Sequence, residues 1–276
     1  MSTYRELLGQ AQALLRQSGI NDADIDAWYL LEYIFGIKRA QYYLLLNEQA
    51  PEENAREFLK LAKKRAMHIP LQYITGTQEF MGLVFEVNED VLIPRQDTEL
   101  LVEEVLKVSD GKEVLDMCCG SGCIIISLAK LGRLKKAAAA DISEKALAVA
   151  KKNAARHQVD VEFINSDLFG SVKGSYDIIV SNPPYIPTSD IEKLMPEVKE
   201  YEPRLALDGM VDGLEFYRRI VDDSRKHLNR DGYIFFEIGY NQAEAVSQIL
   251  SDAGFCDITV RKDLSGHDRI VSARRL

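Results

Sequence analysis

From Gly111 to the C-terminus, short apolar runs alternate with longer amphipathic segments, and no other feature constrains the fold of this chain as strongly. Such alternation predicts a mostly parallel sheet with helices on both faces. The predicted strands are Glu113–Asp116, Ala137–Asp141, Val161–Asn165, Asp177–Ser181, Tyr233–Glu237, Asp257–Arg261 and Ile270–Ala273. No helix separates the last two. We therefore predict an α/β fold, a seven-stranded doubly wound sheet that ends in an antiparallel hairpin.

The residues before this alternating part follow different patterns. Apolar residues recur at spacings of three and four between residues 3 and 67, which predicts helices only. Apolar and polar residues then alternate up to Pro94, which predicts a β-hairpin whose turn is Asn88-Glu89-Asp90. The predicted organisation is a small all-α domain at residues 1–72, a β-hairpin linker at 73–94 and an α/β domain at 95–276.

The charge of the chain bears on its partners. Thirty-four Lys and Arg residues stand against 43 Asp and Glu residues, which gives a formal net charge of -9. Proteins that bind phosphate backbones usually carry basic surfaces, so we expect no direct nucleic-acid binding. No apolar run approaches the roughly 20 residues of a membrane span, and the N-terminus does not resemble a signal peptide. These features predict a soluble, cytoplasmic protein without a membrane partner.

The four cysteines do not suggest a metal site. Cys118, Cys119 and Cys123 lie within six residues and Cys256 lies far away, so paired C-x-x-C knuckles are missing. We interpret these cysteines as small residues in a reducing compartment. The four histidines are scattered over four segments, and we assign them no catalytic role.

A glycine-containing turn, Cys118-Cys119-Gly120-Ser121-Gly122, joins an apolar strand to a helix. Glycines let the backbone approach a ligand closely, and the helix N-terminus offers free N–H groups. A dinucleotide-binding fingerprint needs a further glycine near Ile125, where this chain is apolar. The turn therefore favours a nucleotide-like ligand other than NAD.

Acidic residues end the next two predicted strands. Asp141 is placed to accept hydrogen bonds from both hydroxyls of a ribose, and Ser143 is a better helix cap than Asp141. Asp167 could accept from the exocyclic amine of adenine. The full set of predicted cofactor-binding residues is Cys118, Cys119, Gly120, Ser121, Gly122, Asp141, Ile142, Asp167, Leu168, Phe169 and Asn182.

The segment Asn182-Pro183-Pro184-Tyr185 directly follows the fourth predicted strand. Its two prolines fix the backbone and remove two N–H donors. The Asn182 side-chain oxygen and the Pro183 carbonyl are then available to accept hydrogen bonds from an –NH2 group, and the Tyr185 ring offers a flat face. We predict Asn182, Pro183 and Tyr185 as catalytic residues, and these three with Pro184 as the substrate-binding loop. No general base is visible in this loop, so the predicted mechanism is positioning.

The glycine turn, Asp141, Asp167 and the loop 182–185 resemble class I S-adenosylmethionine methyltransferases that act on amino or amide nitrogens. The chain from about Asp26 onward resembles release factor glutamine methyltransferases of the PrmC/HemK type more closely. This resemblance rests on the segments Pro70–Gly76, Phe80–Leu83, Val91–Glu99, Glu237-Ile238-Gly239 with Gln242, and Asp263–Arg269. Two positions depart from the family: Gln96 replaces a common proline, and Cys118 replaces the first glycine of the turn, which predicts a negative φ at Cys118.

The resemblance implies a Rossmann-like methyltransferase fold, S-adenosyl-L-methionine as cofactor and S-adenosyl-L-homocysteine as product. The implied acceptor is the Gly-Gly-Gln glutamine of peptide chain release factors, whose body the helical domain would hold. A ribosomal-protein glutamine methyltransferase shares the loop 182–185 and remains an alternative. An adenine-N6 nucleic-acid methyltransferase is a second alternative, but it should carry a basic target-recognition region. The intact loop argues against a scaffold that only binds the cofactor.

Overall fold

The computed structural model describes residues 2–276, which divide into two compact units. One unit comprises residues 2–76 and 195–201, and the other comprises residues 77–194 and 202–276. The chain therefore leaves the second unit after Leu194, adds a short helix to the first and returns at Glu202. The predicted boundary at residue 72 falls inside the helix Leu71–Thr75.

Thirteen helices and nine strands are found in residues 2–276. The helices are α1 Tyr4–Gln17, α2 Ala23–Phe35, α3 Arg39–Leu45, α4 Glu52–Ala66, α5 Leu71–Thr75, α6 Gln96–Leu106, α7 Cys123–Leu131, α8 Glu144–His157, α9 Thr188–Ile191, α10 Pro196–Tyr201, α11 Arg204–Leu207, α12 Glu215–His227 and α13 Ala243–Asp252. The strands are β1 Thr77–Phe80, β2 Leu83–Glu86, β3 Glu113–Met117, β4 Lys136–Asp141, β5 Glu162–Asn165, β6 Tyr176–Ser181, β7 Leu228–Glu237, β8 Phe255–Lys262 and β9 Asp268–Arg275. Within the same residues, no helix is both long enough and apolar enough to cross a membrane.

Local sequence explains the first helix of the helical unit. The Thr3 side chain accepts a hydrogen bond from the Glu6 backbone N–H, and the Glu6 carboxylate accepts one from the Thr3 backbone N–H. This reciprocal capping box satisfies two donors that the helix leaves free. Leu7, Ala11 and Leu15 recur every four residues and are all fully buried in the core that α1 shares with α2 and α4.

A buried ion pair lies in the same unit. Arg65 of α4 is 5% exposed and donates from Nε to Asp26 Oδ2 of α2, at 2.6 Å. Its Nη2 lies 3.2 Å from Glu197 Oε1, which belongs to α10. Burial raises the pKa of Asp26 although the Arg65 guanidinium acts to lower it. The segment 195–201 is thus joined to α4 by an ion pair between the buried Arg65 and the partly exposed Glu197.

The sheet of the second unit has the strand order β5-β4-β3-β6-β7-β9-β8. Strands β3 to β7 pair in parallel, whereas β9 is antiparallel to both β7 and β8. The predicted seven-stranded sheet with a terminal antiparallel hairpin is confirmed. The strand order reverses at β3, which is flanked by β4 and β6. Open α/β sheets bind ligands at such a reversal, outside the carboxyl ends of the strands.

Both faces of the sheet are covered. Leu115 and Ile179 belong to one hydrophobic cluster, while their neighbours Val114 and Ile178 belong to the other. Successive residues of a strand point to opposite faces, so each strand contributes to two cores. This explains why the strands appear in the sequence as continuous apolar runs rather than as alternating patterns.

The predicted turn of the hairpin is wrong. β1 and β2 are joined by Met81-Gly82, with φ values of 53° and 71°. Two central residues with positive φ match the right-handed twist of a two-residue hairpin, and Glu99 binds the Met81 backbone N–H at 2.6 Å. Asn88 does form a local turn, with its Oδ1 accepting from the Asp90 N–H, but residues 91–93 form no strand.

Candidate active site

The turn between β3 and α7 has an unusual backbone. Cys118, Gly120 and Gly122 all have positive φ, at 64°, 53° and 78°. The predicted negative φ at Cys118 is therefore wrong. The N–H groups of Cys118 and Cys119 both donate to Ala140 O of β4, at 2.9 and 3.2 Å, and these bonds hold Cys118 in the conformation that a glycine adopts elsewhere. The left-handed conformation costs a non-glycine residue roughly 1–2 kcal/mol.

Asp141 stands at the end of β4 and anchors this turn. Its Oδ2 accepts from the Gly120 N–H at 2.8 Å, and its Oδ1 accepts from the Ser143 N–H at 2.9 Å. Burial raises the pKa of Asp141, and the backbone hydrogen bonds oppose that rise. The cap of α8 is Ser143, whose hydroxyl accepts from the Ala146 N–H. Asp141 is thus not the helix cap, and each carboxylate oxygen retains acceptor capacity.

A concave pocket opens beside this carboxylate at the carboxyl edge of the sheet. Seven predicted cofactor residues line it: Cys118, Gly120, Asp141, Ile142, Asp167, Leu168 and Asn182. Four others do not: Cys119, Ser121, Gly122 and Phe169. A Cβ on Gly122 would lie 2.9 Å from Ile126 Cδ1 and 3.1 Å from Ala150 Cβ, so close packing of α7 on α8 requires this glycine. Phe169 is buried and stacks on His227, with ring centroids 4.8 Å apart.

Several lining residues were not predicted. Val91 and Leu92 precede α6 and had been noted only as part of the family signature. Phe216 and Arg219 come from the first turns of α12, where the sequence shows an ordinary amphipathic helix and no separate signal. Arg219 Nη2 donates to both oxygens of Asp167 at 2.9 Å. The interaction of Asp167 with an adenine amine therefore stays a prediction.

The loop after β6 adjoins this pocket, since Asn182 and Pro184 line it. Asn182 Nδ2 donates to the Thr98 hydroxyl of α6 at 3.4 Å, and its Oδ1 has no donor among the described residues. Pro183 is buried, and the Tyr185 side chain is half-buried. Burial, and next the charge of Glu237, raise the pKa of the Tyr185 phenol, so Tyr185 is neutral at physiological pH.

Gln242 hydrogen bonds to the backbone of the loop 182–185. Its Nε2 donates to Tyr185 O at 2.9 Å and to Gly213 O at 3.2 Å. Its Oε1 accepts from the Gly239 N–H at 2.9 Å, which fixes the orientation of the amide. Sequence reasoning noted Gln242 only as part of a signature, because its partners are distant along the chain.

Replacing Gly213 by alanine should disturb Tyr185. A Cβ at Gly213 would lie 2.3 Å from Tyr185 O, and its φ of 74° already disfavours alanine. We expect Gly213→Ala to lose about 1–2 kcal/mol more unfolding free energy than Gly174→Ala, through overpacking. Gly174 is the matched control because its φ is 80° and its Cβ would meet open space. Equal losses in urea unfolding would contradict close packing at Tyr185.

Comparison with known proteins covers both units. The family profile of the Methyltransferase small domain matches residues 95–198, and that of the PrmC N-terminal domain matches residues 6–76. A release factor glutamine methyltransferase of Geobacter sulfurreducens is 43% identical over 274 residues, which cover 99% of this chain and 96% of that protein. Its counterpart in Clostridium botulinum is 40% identical, with coverage of 98% and 99%. A methyltransferase structure from Pyrococcus furiosus shares the fold, with a TM-score of 0.55 at 18% identity over 71% of this chain and 90% of that chain.

Proposed function

Because this chain belongs to the release factor glutamine methyltransferase family, we propose that it methylates the side-chain amide nitrogen (N5) of the Gly-Gly-Gln glutamine in peptide chain release factors. The methyl donor in this proposal is S-adenosyl-L-methionine, and S-adenosyl-L-homocysteine is the product. One observation carries it: the loop that offers two acceptors to an –NH2 group adjoins the pocket that contains Asp141. This arrangement supports transfer between a nucleoside-type donor and a planar amide.

The pocket suits an adenosyl ligand. Asp141 has backbone donors on both oxygens and retains acceptor capacity for the two ribose hydroxyls. Ile142, Leu168 and Phe216 supply apolar walls for a flat adenine ring. When bound, S-adenosylmethionine supplies an electrophilic methyl group on a positively charged sulfur.

The acceptor amide is a poor nucleophile because its nitrogen lone pair is delocalised into the carbonyl group. Asn182 Oδ1 and the Pro183 carbonyl accept the two amide hydrogens and direct the nitrogen toward the methyl group. Transfer of the methyl group from sulfur to this nitrogen would develop positive charge on the nitrogen, and that charge would be relieved when one amide proton passes to solvent water. Both hydrogen bonds strengthen as this charge grows, so they stabilise the transition state more than the ground state.

The Tyr185 ring offers a face on which the amide plane packs. Gln242 and the two glycines Gly209 and Gly213 hold the backbone of this tyrosine, since a Cβ on either glycine would lie within 2.8 Å of it. A rigid loop keeps the acceptor groups in place before the substrate arrives. Such pre-orientation can contribute roughly 7–11 kcal/mol in the best cases.

The helical unit, in this proposal, binds the body of the release factor. Ile25, Tyr29 and Tyr33 recur every four residues on α2, and each is about half exposed. Tyr43 and Leu44 of α3 are also exposed. Exposed aromatic side chains are typical of protein–protein contacts, and the net charge of -9 favours a protein partner over bare nucleic acid.

Replacing Asp141 by alanine should weaken cofactor binding. We expect the Kd for S-adenosylmethionine to rise about 10- to 100-fold, because hydrogen bonds to a charged group contribute about 1.5–3 kcal/mol. Asp141→Asn should fall between wild type and alanine, since it keeps the shape and loses the charge. Asp160→Ala, an exposed position outside the pocket, is the control. Titration calorimetry measures all four proteins, and an unchanged Kd in Asp141→Ala would exclude the ribose contact.

Methyl transfer from radiolabelled S-adenosylmethionine tests the proposal. Four acceptors are compared. They are a purified release factor, its variant with Gly-Gly-Ala in place of Gly-Gly-Gln, the unmodified form of a ribosomal protein that is normally methylated on glutamine, and a DNA duplex. Label on the wild-type factor alone supports the proposed reaction and acceptor. Label on both factors, on the ribosomal protein or on DNA would overturn the assignment of the substrate.

A further inference from the structure

Glu237 lies at the end of β7, next to the loop 182–185, and the proposed mechanism does not use it. Its side chain is 2% exposed, and its Oε2 has no hydrogen-bond partner among residues 2–276. The Thr98 hydroxyl and the Asn182 amide face the carboxyl, and hydrogen bonding from both side chains acts to lower its pKa. A buried carboxyl with an unpaired oxygen is costly, and this one lies beside Asn182, so its position supports a role there.

The donors and acceptors of Glu237, Thr98 and Asn182 determine which way each hydrogen bond between them runs. An ionised carboxylate can only accept, so the Thr98 hydroxyl must donate its single proton to Glu237. That hydroxyl can then only accept from Asn182, as its 3.4 Å contact with Nδ2 shows. With Nδ2 turned toward Thr98 and Glu237, Oδ1 is the atom left to accept from a substrate.

We propose that Glu237 is a positioning residue that acts both directly and through Thr98 to hold the Asn182 amide with its oxygen toward the acceptor –NH2 group. This inference rests on the proposed function only in that the acceptor presents an –NH2 group. Neutralising the carboxyl removes the constraint, because a protonated Glu237 can donate to Thr98. The Thr98 hydroxyl can then donate to Asn182 Oδ1, and the amide can turn its –NH2 toward the substrate, where two donors would meet.

The environment of Glu237 makes this neutralisation accessible. Burial raises its pKa from 4.5 to about 7, against the hydrogen bond from Thr98 and the charge of Arg269. Activity should therefore fall as the pH drops through about 7. The charge of Asp97 of α6 also acts on Glu237 and raises its pKa. The other titratable groups near it are Cys123 of α7, Tyr185 of the loop and Tyr217 of α12, whose own pKa values are raised, so they are neutral in this pH range.

The test compares Glu237→Gln with wild type on whichever acceptor the wild-type enzyme methylates. We expect kcat/KM at pH 8.5 to fall about 10-fold, the effect of about one lost hydrogen bond, with an unchanged Kd for S-adenosylmethionine. The ratio of wild type to variant should shrink toward one by pH 5.5, because the wild-type carboxyl is then also neutral. Because both enzymes act on the same acceptor, any effect of acceptor titration on the rate cancels in the ratio of wild type to variant. Glu162→Gln, an exposed strand carboxylate paired with Lys136, should keep a ratio of one throughout.

Thr98 variants separate positioning from packing. Thr98→Val keeps the shape and removes the hydroxyl, so it should lose up to about 10-fold, whereas Thr98→Ser should recover most of that loss. The double variant Thr98→Val/Glu237→Gln should lose no more than Glu237→Gln alone, since that variant already removes the constraint that Thr98 transmits. A simple structural role for Glu237 predicts additive losses that do not depend on pH.

Folding is checked by thermal unfolding. The raised pKa of Glu237 means that its burial costs stability as the pH rises through the window from 4.5 to about 7. Glu237→Gln removes that cost, so its Tm at pH 8.5 should equal or exceed that of wild type.

A pH-independent activity ratio, or Thr98→Ser as slow as Thr98→Val, would overturn the proposed role of Glu237. Label on DNA instead of the release factor would overturn only the proposed substrate, because adenine also presents an –NH2 group.

Discussion

Asn182→Ala is expected to reduce kcat/KM for methyl transfer by about 10²- to 10³-fold, the effect measured when one pre-oriented transition-state partner is removed. Within the protein, the alanine removes the 3.4 Å contact of Nδ2 with the Thr98 hydroxyl and the amide that faces Glu237. The main loss should appear in turnover, because the proposed role of Oδ1 is to bind the acceptor. The Pro183 carbonyl would remain, but one acceptor cannot fix the orientation of an –NH2 group.

Two measurements separate this effect from misfolding. The Kd for S-adenosylmethionine, measured by calorimetry, should change less than threefold, and the Tm should stay close to that of wild type. Asn229→Ala is the matched control because Asn229 Nδ2 donates to Asp177 Oδ1 at 2.9 Å at the opposite edge of the same sheet. If the control slowed methyl transfer as much as Asn182→Ala, the assignment of Asn182 as the acceptor group would fail.

Arg65→Ala is expected to lower the unfolding free energy of the helical unit by about 3–5 kcal/mol, because it leaves a buried charge without its partner. Asp26 is 7% exposed and binds Arg65 Nε at 2.6 Å, and Glu197 lies 3.2 Å from the same guanidinium. Urea unfolding followed by tryptophan fluorescence measures this loss. The only tryptophan of the chain, Trp28, lies on α2 near Asp26 in sequence.

The pH dependence of this loss has a definite sign. The pKa of Asp26 is already raised by burial, and removing Arg65 raises it further. A group whose pKa is higher in the folded state than in the unfolded state stabilises the folded protein at low pH. That stabilisation is lost as the pH rises through the folded-state pKa. The loss of unfolding free energy in Arg65→Ala should therefore be smaller at pH 5 than at pH 8.

Arg133→Ala is the control. It breaks the exposed pair with Asp110 at 2.8 Å and should lower the unfolding free energy by less than about 1 kcal/mol at either pH. Equal losses in the two variants would contradict a desolvated pair.

Local chemistry determined much of what was predicted from the sequence. Strands and helices follow from periodicity, which depends on neighbours two to four residues apart. The double proline after β6 removes two N–H donors whatever surrounds it, so the loop 182–185 could be predicted to offer acceptors without a structure. Asp141 could be placed beside the pocket because the carboxyl ends of parallel strands share one edge. The assignments of Asn182, Pro183 and Tyr185 to catalysis remain predictions.

Other features depend on contacts between residues that are far apart in the sequence. The Arg65–Glu197 pair joins residues 132 positions apart, and the Gln242–Tyr185 hydrogen bond spans 57. Neither follows from a local pattern. Phe169 was predicted to bind the cofactor, yet it stacks on His227 of α12 and does not line the pocket, because that helix packs over this part of the sheet.

The sequence by itself determined the fold class and the restricted backbone of the loop 182–185, because both depend on periodicity and on the stereochemistry of consecutive residues. Only the tertiary structure decided the left-handed backbone of Cys118, the turn at Met81-Gly82 and the environment of Glu237. The physical reason is shared by all three. Backbone strain and buried polar groups are stabilised by hydrogen bonds from other elements, and strand order determines which elements are near.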